Sequence, residues 1–199
     1  MIVAFVRHGR TAWNAAQRLQ GRADVPLSPE GRAQVLRWRL PADLASARMV
    51  ASPLARAVDT ARLLGAGEPA IEPALVEMDW GGWEGETFAS LRAHHARAFA
   101  AAEARGLDFR PPGGESIREV QARLLGWLAG AAGTGAAVVA VTHKGVLNAL
   151  VAHLTGWNAI GRSPVKLRPD VVHLVEVGPR GELQARSWNV PLTPAGPAA

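Results

Sequence analysis

Two stretches of this chain follow the same plan: an unbroken apolar run, a histidine, a glycine and then a helix-forming segment. Residues 2–6 run into Arg7-His8-Gly9, and residues 136–141 run into Thr142-His143-Lys144-Gly145 ahead of a helix expected over 146–154. Apolar runs without alternation suit strands buried on both faces, as in a parallel sheet covered by helices. Ligands of such open sheets sit outside the carboxyl ends of the strands. With both strands near the centre of one sheet, His8 and His143 share a crevice.

The segments between and after these runs read as an α/β succession. A short helix is expected over 11–18 and a loop over 21–26. Ser28-Pro29-Glu30 places an N-cap, a first-turn proline and an acid at the start of a helix that reaches about Leu40-Pro41. A short strand follows over 48–51, then a helix from Ser52-Pro53 to about Leu64, closed by Gly65 and Gly67. Residues 68–85 are irregular, 87–105 and 115–128 are helical, and Gly178-Pro179-Arg180-Gly181 joins strands over 171–177 and 183–188 as a hairpin. The expectation is one three-layer α/β/α sandwich over 1–190, with a mostly parallel central sheet carrying an antiparallel edge. Residues 86–114 form a helical cap insertion, and the Pro- and Ala-rich tail 191–199 is expected to be disordered.

Composition excludes several alternatives. With no cysteine there are no disulfides, thiolate zinc sites or cysteine nucleophiles. No apolar run is long enough to span a bilayer, and the start lacks the basic n-region of a signal peptide. A cytoplasmic protein without membrane contact is expected. The formal charge of +5 comes from basic residues that are nearly all arginine. They are scattered among acids rather than gathered in a stripe, which argues against nucleic-acid binding.

His8 directly after Arg7 suits attack on a phosphate. Neutral imidazole is a competent nucleophile near pH 7, and a guanidinium neutralises the phosphoryl charge through planar, bidentate hydrogen bonds. The leaving alkoxide then needs a proton, which a carboxyl group shielded from water can supply. His94, His95, His153 and His173 lack the strand-end context and read as structural or surface residues.

Arg7-His8-Gly9-Arg10-Thr11 with Trp13-Asn14 resembles the signature of the histidine phosphatase superfamily, in its phosphoglycerate-mutase-like branch. Further matches follow in the family's order: residues 21–31, Ser52-Pro53-Leu54-Ala55-Arg56-Ala57, the acid segment 75–85, Gly113-Gly114-Glu115-Ser116 and Val141-Thr142-His143. They extend from residue 3 to about residue 150. The resemblance implies that His8 is phosphorylated and that Arg7, Arg56 and His143 hold the phosphoryl oxygens. It implies that Asn14 donates a further hydrogen bond to phosphate, with Thr11 assisting, and that Gln20 and Gly21 touch substrate. It further implies that Glu77 protonates the leaving oxygen and later activates water, although Asp79, Glu84 and Glu86 lie close enough in sequence to compete. Helix capping is a sufficient reason for threonine at 11. None of these roles needs a metal or cofactor. Trp80 and Trp83 suit a core or a pocket equally. Lys144 adjoins His143 and is expected to open the next helix rather than turn toward the phosphate.

The resemblance covers both mutases and phosphatases. It implies, for a mutase, a tyrosine three residues after the acid and a lysine eleven after it, where this chain has Trp80 and Phe88, and Gly-Asn after the second histidine, where it has Lys144-Gly145. Those departures favour a phosphomonoester hydrolase acting on a small phosphorylated metabolite, as a monomer or homodimer. The alternatives are a cofactor-dependent phosphoglycerate mutase and a catalytically silent phosphate-binding module. The apolar residues Phe88, Leu91, Phe99 and Phe109 suit either helix packing or a bulky leaving group.

Overall fold

The computed structural model describes residues 1–132 and 135–194. The chain opens with β1 (Ile2–Arg7) and a short helix α1 (Ala12–Ala15), followed by α2 (Pro29–Leu36), β2 (Trp38–Arg39), β3 (Arg48–Ala51), α3 (Ala55–Ala61) and β4 (Ala70–Ile71). Next come α4 (Phe88–His94), α5 (Ala96–Glu103), α6 (Ile117–Ala131), β5 (Val138–Thr142) and α7 (Lys144–Thr155). The strands β6 (Val171–Val177), β7 (Leu183–Pro191) and β8 (Thr193–Pro194) complete the described chain. Six strands form one sheet in the order β4-β3-β5-β1-β6-β7. The first four run parallel, β6 adds antiparallel to β1, and β7 pairs antiparallel with β6 at the edge.

The apolar run of β1 is continuous because both faces of the sheet are covered. Val3 and Phe5 pack into a core with Leu124 and Leu128 of α6 and Leu147 and Leu150 of α7. Ala4 and Val6 point the other way, into a core with Val35 of α2 and Ala57 and Ala61 of α3. All four β1 side chains are fully buried. The result is the expected three-layer arrangement with a mostly parallel sheet.

Register fixes where the two strand-end histidines lie. β1 and β5 are parallel neighbours at the centre of the sheet, and Arg7 sits opposite Thr142. The His8 N–H donates to the Thr142 carbonyl at 3.0 Å, and the Ser52 N–H after β3 donates to the Val141 carbonyl at 3.0 Å. Three strands therefore end at one level, handing His8, Ser52 and His143 to the same edge.

Some expectations are corrected. The helix beginning at Pro29 stops at Leu36 rather than at Leu40-Pro41, because Trp38 turns into the core at 6% exposure and joins β2. The partner of β2 is β8, so residues 191–194 are an ordered part of the fold rather than a disordered tail. Leu192, at 4% exposure, anchors them against the α2–α3 side of the sheet. Residues 195–199 of the expected tail lie outside the described residues. The helical stretch expected over 87–105 is two helices, broken at His95 (φ −129°, ψ 28°). The irregular segment 68–85 contains the edge strand β4.

Candidate active site

His8 leaves β1 only 6% exposed, and its Nδ1 lies 2.7 Å from the Gly9 carbonyl. A carbonyl only accepts, so Nδ1 carries the proton and Nε2 keeps its lone pair. Burial holds the imidazole well below its ordinary value of 6.5, and the Arg7 and Arg56 charges act in the same direction. His8 is thus neutral, with its basic nitrogen selected by one hydrogen bond. Gly9 is held by the Thr60 hydroxyl, which accepts from its N–H at 3.0 Å.

Arg56, on the first turn of α3, is fully buried. It donates from Nη1 to the Ala23 carbonyl and from Nη2 to the Gly21 carbonyl, both at 2.8 Å, and from Nε to His143 Nδ1 at 3.3 Å. Since His143 Nδ1 accepts, Nε2 carries that ring's proton and donates to the Ser52 hydroxyl at 2.7 Å. Burial keeps His143 neutral as well, and the Arg56 and Arg7 charges act in the same direction. The His8 and His143 rings lie 5.0 Å apart between centroids. His143 and Arg56 form a layer behind His8 rather than part of the cavity wall. Arg7 does reach the wall, and its buried Nε makes no hydrogen bond among the described residues. A desolvated donor of this kind is costly unless an acceptor meets it.

Glu77 follows a short 3-10 turn over Pro73–Leu75 and is 6% exposed. Its Oε1 accepts from the Met78 N–H at 2.8 Å and its Oε2 from the Gly145 N–H at 3.2 Å. Burial raises its pKa above the ordinary 4.5, outweighing these two hydrogen bonds and the Arg56 and Arg7 charges. Gly145 is required by this contact, since a Cβ there would collide with Glu77 Oε1. Of the possible competitors, Asp79 accepts from the Gly81 N–H at 2.8 Å and Glu84 caps the Arg22 and Ala23 amides. Glu77 alone of these acids lines the cavity.

That cavity encloses about 890 Å³ and meets Arg7, His8, Asn14, Gln20 and Glu77 on one side. Two sequence-chosen residues besides Arg56 and His143 lie off it. Thr11 is fully buried, capping α1 by accepting from the Asn14 N–H at 3.1 Å and donating to Gln20 Oε1 at 2.8 Å. Gly21 presents its carbonyl to Arg56, and a side chain there would meet the Trp80 N atom at 2.9 Å. Both are therefore framework residues here, not wall residues. Asn14 and Gln20 are joined by a 3.3 Å hydrogen bond and do line the cavity.

The tryptophans divide. Trp83 is core at 4% exposure, whereas Trp80 lines the cavity edge-on to Phe88 and Phe109, at 5.9 and 5.7 Å between ring centroids. Lys144 does open α7, as expected, but it also lines the cavity, with Asn148 one turn further on. Sequence reasoning passed over Asn148. Its only available signal was the four-residue spacing from Lys144, which puts both on one helix face.

The profile of the histidine phosphatase superfamily (branch 1) matches residues 3–191. The chain belongs to that superfamily. It is 35% identical over 190 residues to a glucosyl-3-phosphoglycerate phosphatase of Mycolicibacterium vanbaalenii, covering 80% of this chain and 78% of that one. It is 31% identical over 173 residues to a probable phosphoglycerate mutase GpmB of Cronobacter sakazakii, covering 83% and 80%. Among solved structures, a mycobacterial glucosyl-3-phosphoglycerate phosphatase in complex with VO3 superimposes with a TM-score of 0.77 at 29% identity, covering 95% of this chain and 98% of that one. No helix among the described residues is long and apolar enough to cross a membrane.

Proposed function

We propose that this histidine phosphatase hydrolyses a phosphomonoester of a small metabolite through a phosphohistidine at His8, in the cytoplasm. The observation that carries this reading is the opposed protonation of two buried groups on one cavity. His8 is held neutral with Nε2 basic, and Glu77 is pushed toward its protonated form. Neighbouring groups whose environments drive them apart in this way supply a nucleophile and an acid at one pH.

In the first step Nε2 bonds to phosphorus while the P–O bond to the alcohol breaks, and Glu77 gives its proton to the departing oxygen. The Nδ1–H bond to Gly9 stabilises the positive charge that develops on the ring. Arg7 faces the equatorial oxygens, where charge spreads in the transition state, and Arg56 adds its positive charge from the layer behind His8. His143 keeps Arg56 oriented and belongs to the same polar shell, to which Asn14 and Gln20 add hydrogen-bonding groups. In the second step Glu77, now ionised, takes a proton from water as its oxygen bonds to phosphorus. The P–N bond breaks, and inorganic phosphate leaves. Residues 86–114 act as a cap that determines which alcohol fits.

Hydrolysis is favoured over mutase transfer by the character of the cavity. Trp80 and Phe88 give it an apolar face at the two positions where the resemblance requires tyrosine and lysine of a mutase. The similarity to glucosyl-3-phosphoglycerate phosphatases supports the same reading.

The test is hydrolysis of p-nitrophenyl phosphate by wild type and His8→Ala, with acid-labile phosphate trapped during turnover. Loss of at least about 10³-fold in the variant is expected for removal of a nucleophile. Equal activity in the two proteins sinks the reading. Conversion of 3-phosphoglycerate only when 2,3-bisphosphoglycerate is added indicates the mutase instead.

A further inference from the structure

The phosphoryl end of the cavity has Arg7 on its wall, with the charge of Arg56 in the layer behind. A further cation, Lys144, stands on the wall where α7 begins. It is one of only two lysines in a chain whose other basic residues are arginines. Neither its ammonium nor the side chain of Asn148 makes a hydrogen bond or ion pair among the described residues. Four residues apart on one helix, the two present neighbouring polar groups to the cavity. Gly145, between them, donates its N–H to Glu77 Oε2. The pair is therefore set beside the proposed acid, on the side where the alcohol departs.

Resting on the hydrolase reading, we propose that Lys144 and Asn148 form a second anion subsite that binds a carboxylate carried by the leaving alcohol. An ammonium and one neutral amide match a single negative charge spread over two oxygens. The phosphoryl group, by contrast, meets the Arg7 guanidinium, with the Arg56 charge behind it. Burial lowers the Lys144 pKa, Arg7 adds to the effect and Glu77 opposes it. An incoming carboxylate supplies compensation that the protein itself leaves short. Trp80, Phe88 and Phe109 face the same space, so the carboxylate belongs to an alcohol with an apolar surface next to the ester.

The test compares 3- and 4-carboxyphenyl phosphate with the matching carbamoylphenyl phosphates, which have the same shape and no charge. The readout is the ratio of kcat/KM for acid over amide in each protein, so that intrinsic reactivity cancels. Lys144→Met is expected to lower the ratio for at least one isomer by about tenfold or more, the loss of one charge-assisted contact. Asn148→Asp, which sets a carboxylate against the ligand, lowers it in the same sense. It also keeps the test open should Lys144→Met fail to fold by circular dichroism. A ratio unmoved in both variants overturns the subsite. So does a loss shared equally by acid and amide, which assigns Lys144 to the phosphoryl group. A wild-type protein inert toward all four esters overturns the hydrolase reading, and the subsite with it.

Discussion

At the sheet end of the cavity His8, Arg56, His143 and Glu77 are each tied by at least one hydrogen bond that fixes a tautomer or a rotamer. On the rest of the cavity wall Phe88 is 42% exposed, and Lys144 and Asn148 make no hydrogen bond or ion pair among the described residues. The first region is positioned by strand register and backbone contacts, which change little when surface residues change. The second consists of side chains on helices and loops, where Phe88 rests on Trp80 and Phe99 by ring contact and no hydrogen bond among the described residues fixes Lys144 or Asn148. In the proposed mechanism, chemistry is thus built into the centre of the fold and selectivity into its replaceable margin.

The sharpest way to break this comparison is at the acid. Glu77→Gln keeps shape and removes the proton. For an alkyl phosphate the phosphorylation step is expected to slow by about 10²–10⁴-fold. For p-nitrophenyl phosphate, whose leaving group departs without protonation, the same single-turnover step loses far less. Equal losses on both substrates remove Glu77 from the acid role. The pH dependence follows from the same two groups. Activity fails as pH falls through the His8 pKa, which lies well below 6.5, because a protonated ring cannot attack. It fails again as pH rises through the Glu77 pKa, which lies above 4.5, because an ionised carboxyl has no proton to give. In single-turnover phosphorylation of an alkyl ester, the alkaline limb should vanish in Glu77→Gln and the acid limb should stay.

A smaller effect is expected at Gly145, where the two regions touch. Adding one methyl forces the Glu77 carboxyl from its place. Gly145→Ala should slow turnover of alkyl esters by about 10–100-fold, the scale on which a misplaced catalytic group costs rate. Its thermal unfolding should stay close to wild type if the carboxyl can swing aside. Undiminished turnover means that Glu77 need not sit where Gly145 holds it.

The same division explains what the sequence made legible. β1 and β5 announce themselves as continuous apolar runs, and each histidine follows its strand directly, so the crevice could be placed without coordinates. The resemblance supplied Arg56 and Glu77, which no periodicity marks. Pairing between distant segments was hidden: β2 against β8 joins Trp38-Arg39 to a Pro-rich tail, and neither piece has a strand pattern. The break at His95 was hidden too, because Leu91 and Phe99 bury on either side of it without a glycine or proline between them. Lys144 was read through its helix-opening position alone. Only the geometry of α7 shows that the first turn also faces the cavity.

The least dramatic expectation concerns Thr11, where capping and phosphate binding make opposite demands. Its hydroxyl already accepts from the Asn14 N–H and donates to Gln20 Oε1, and it is shut away from the cavity. Thr11→Val keeps the shape and removes both hydrogen bonds, leaving the Asn14 N–H without its cap, at a cost of about 1–3 kcal/mol. For a chain of 199 residues that is a fall in Tm of about 2–12 °C. Asn14 and Gln20, loosened with it, should raise KM by less than about tenfold, while kcat stays within a few-fold of wild type. If instead turnover slows by about two orders of magnitude at unchanged Tm, the assignment is reversed. Thr11 then touches the phosphoryl group in the transition state, and the cavity's rigid region extends one residue further than the hydrogen bonds describe.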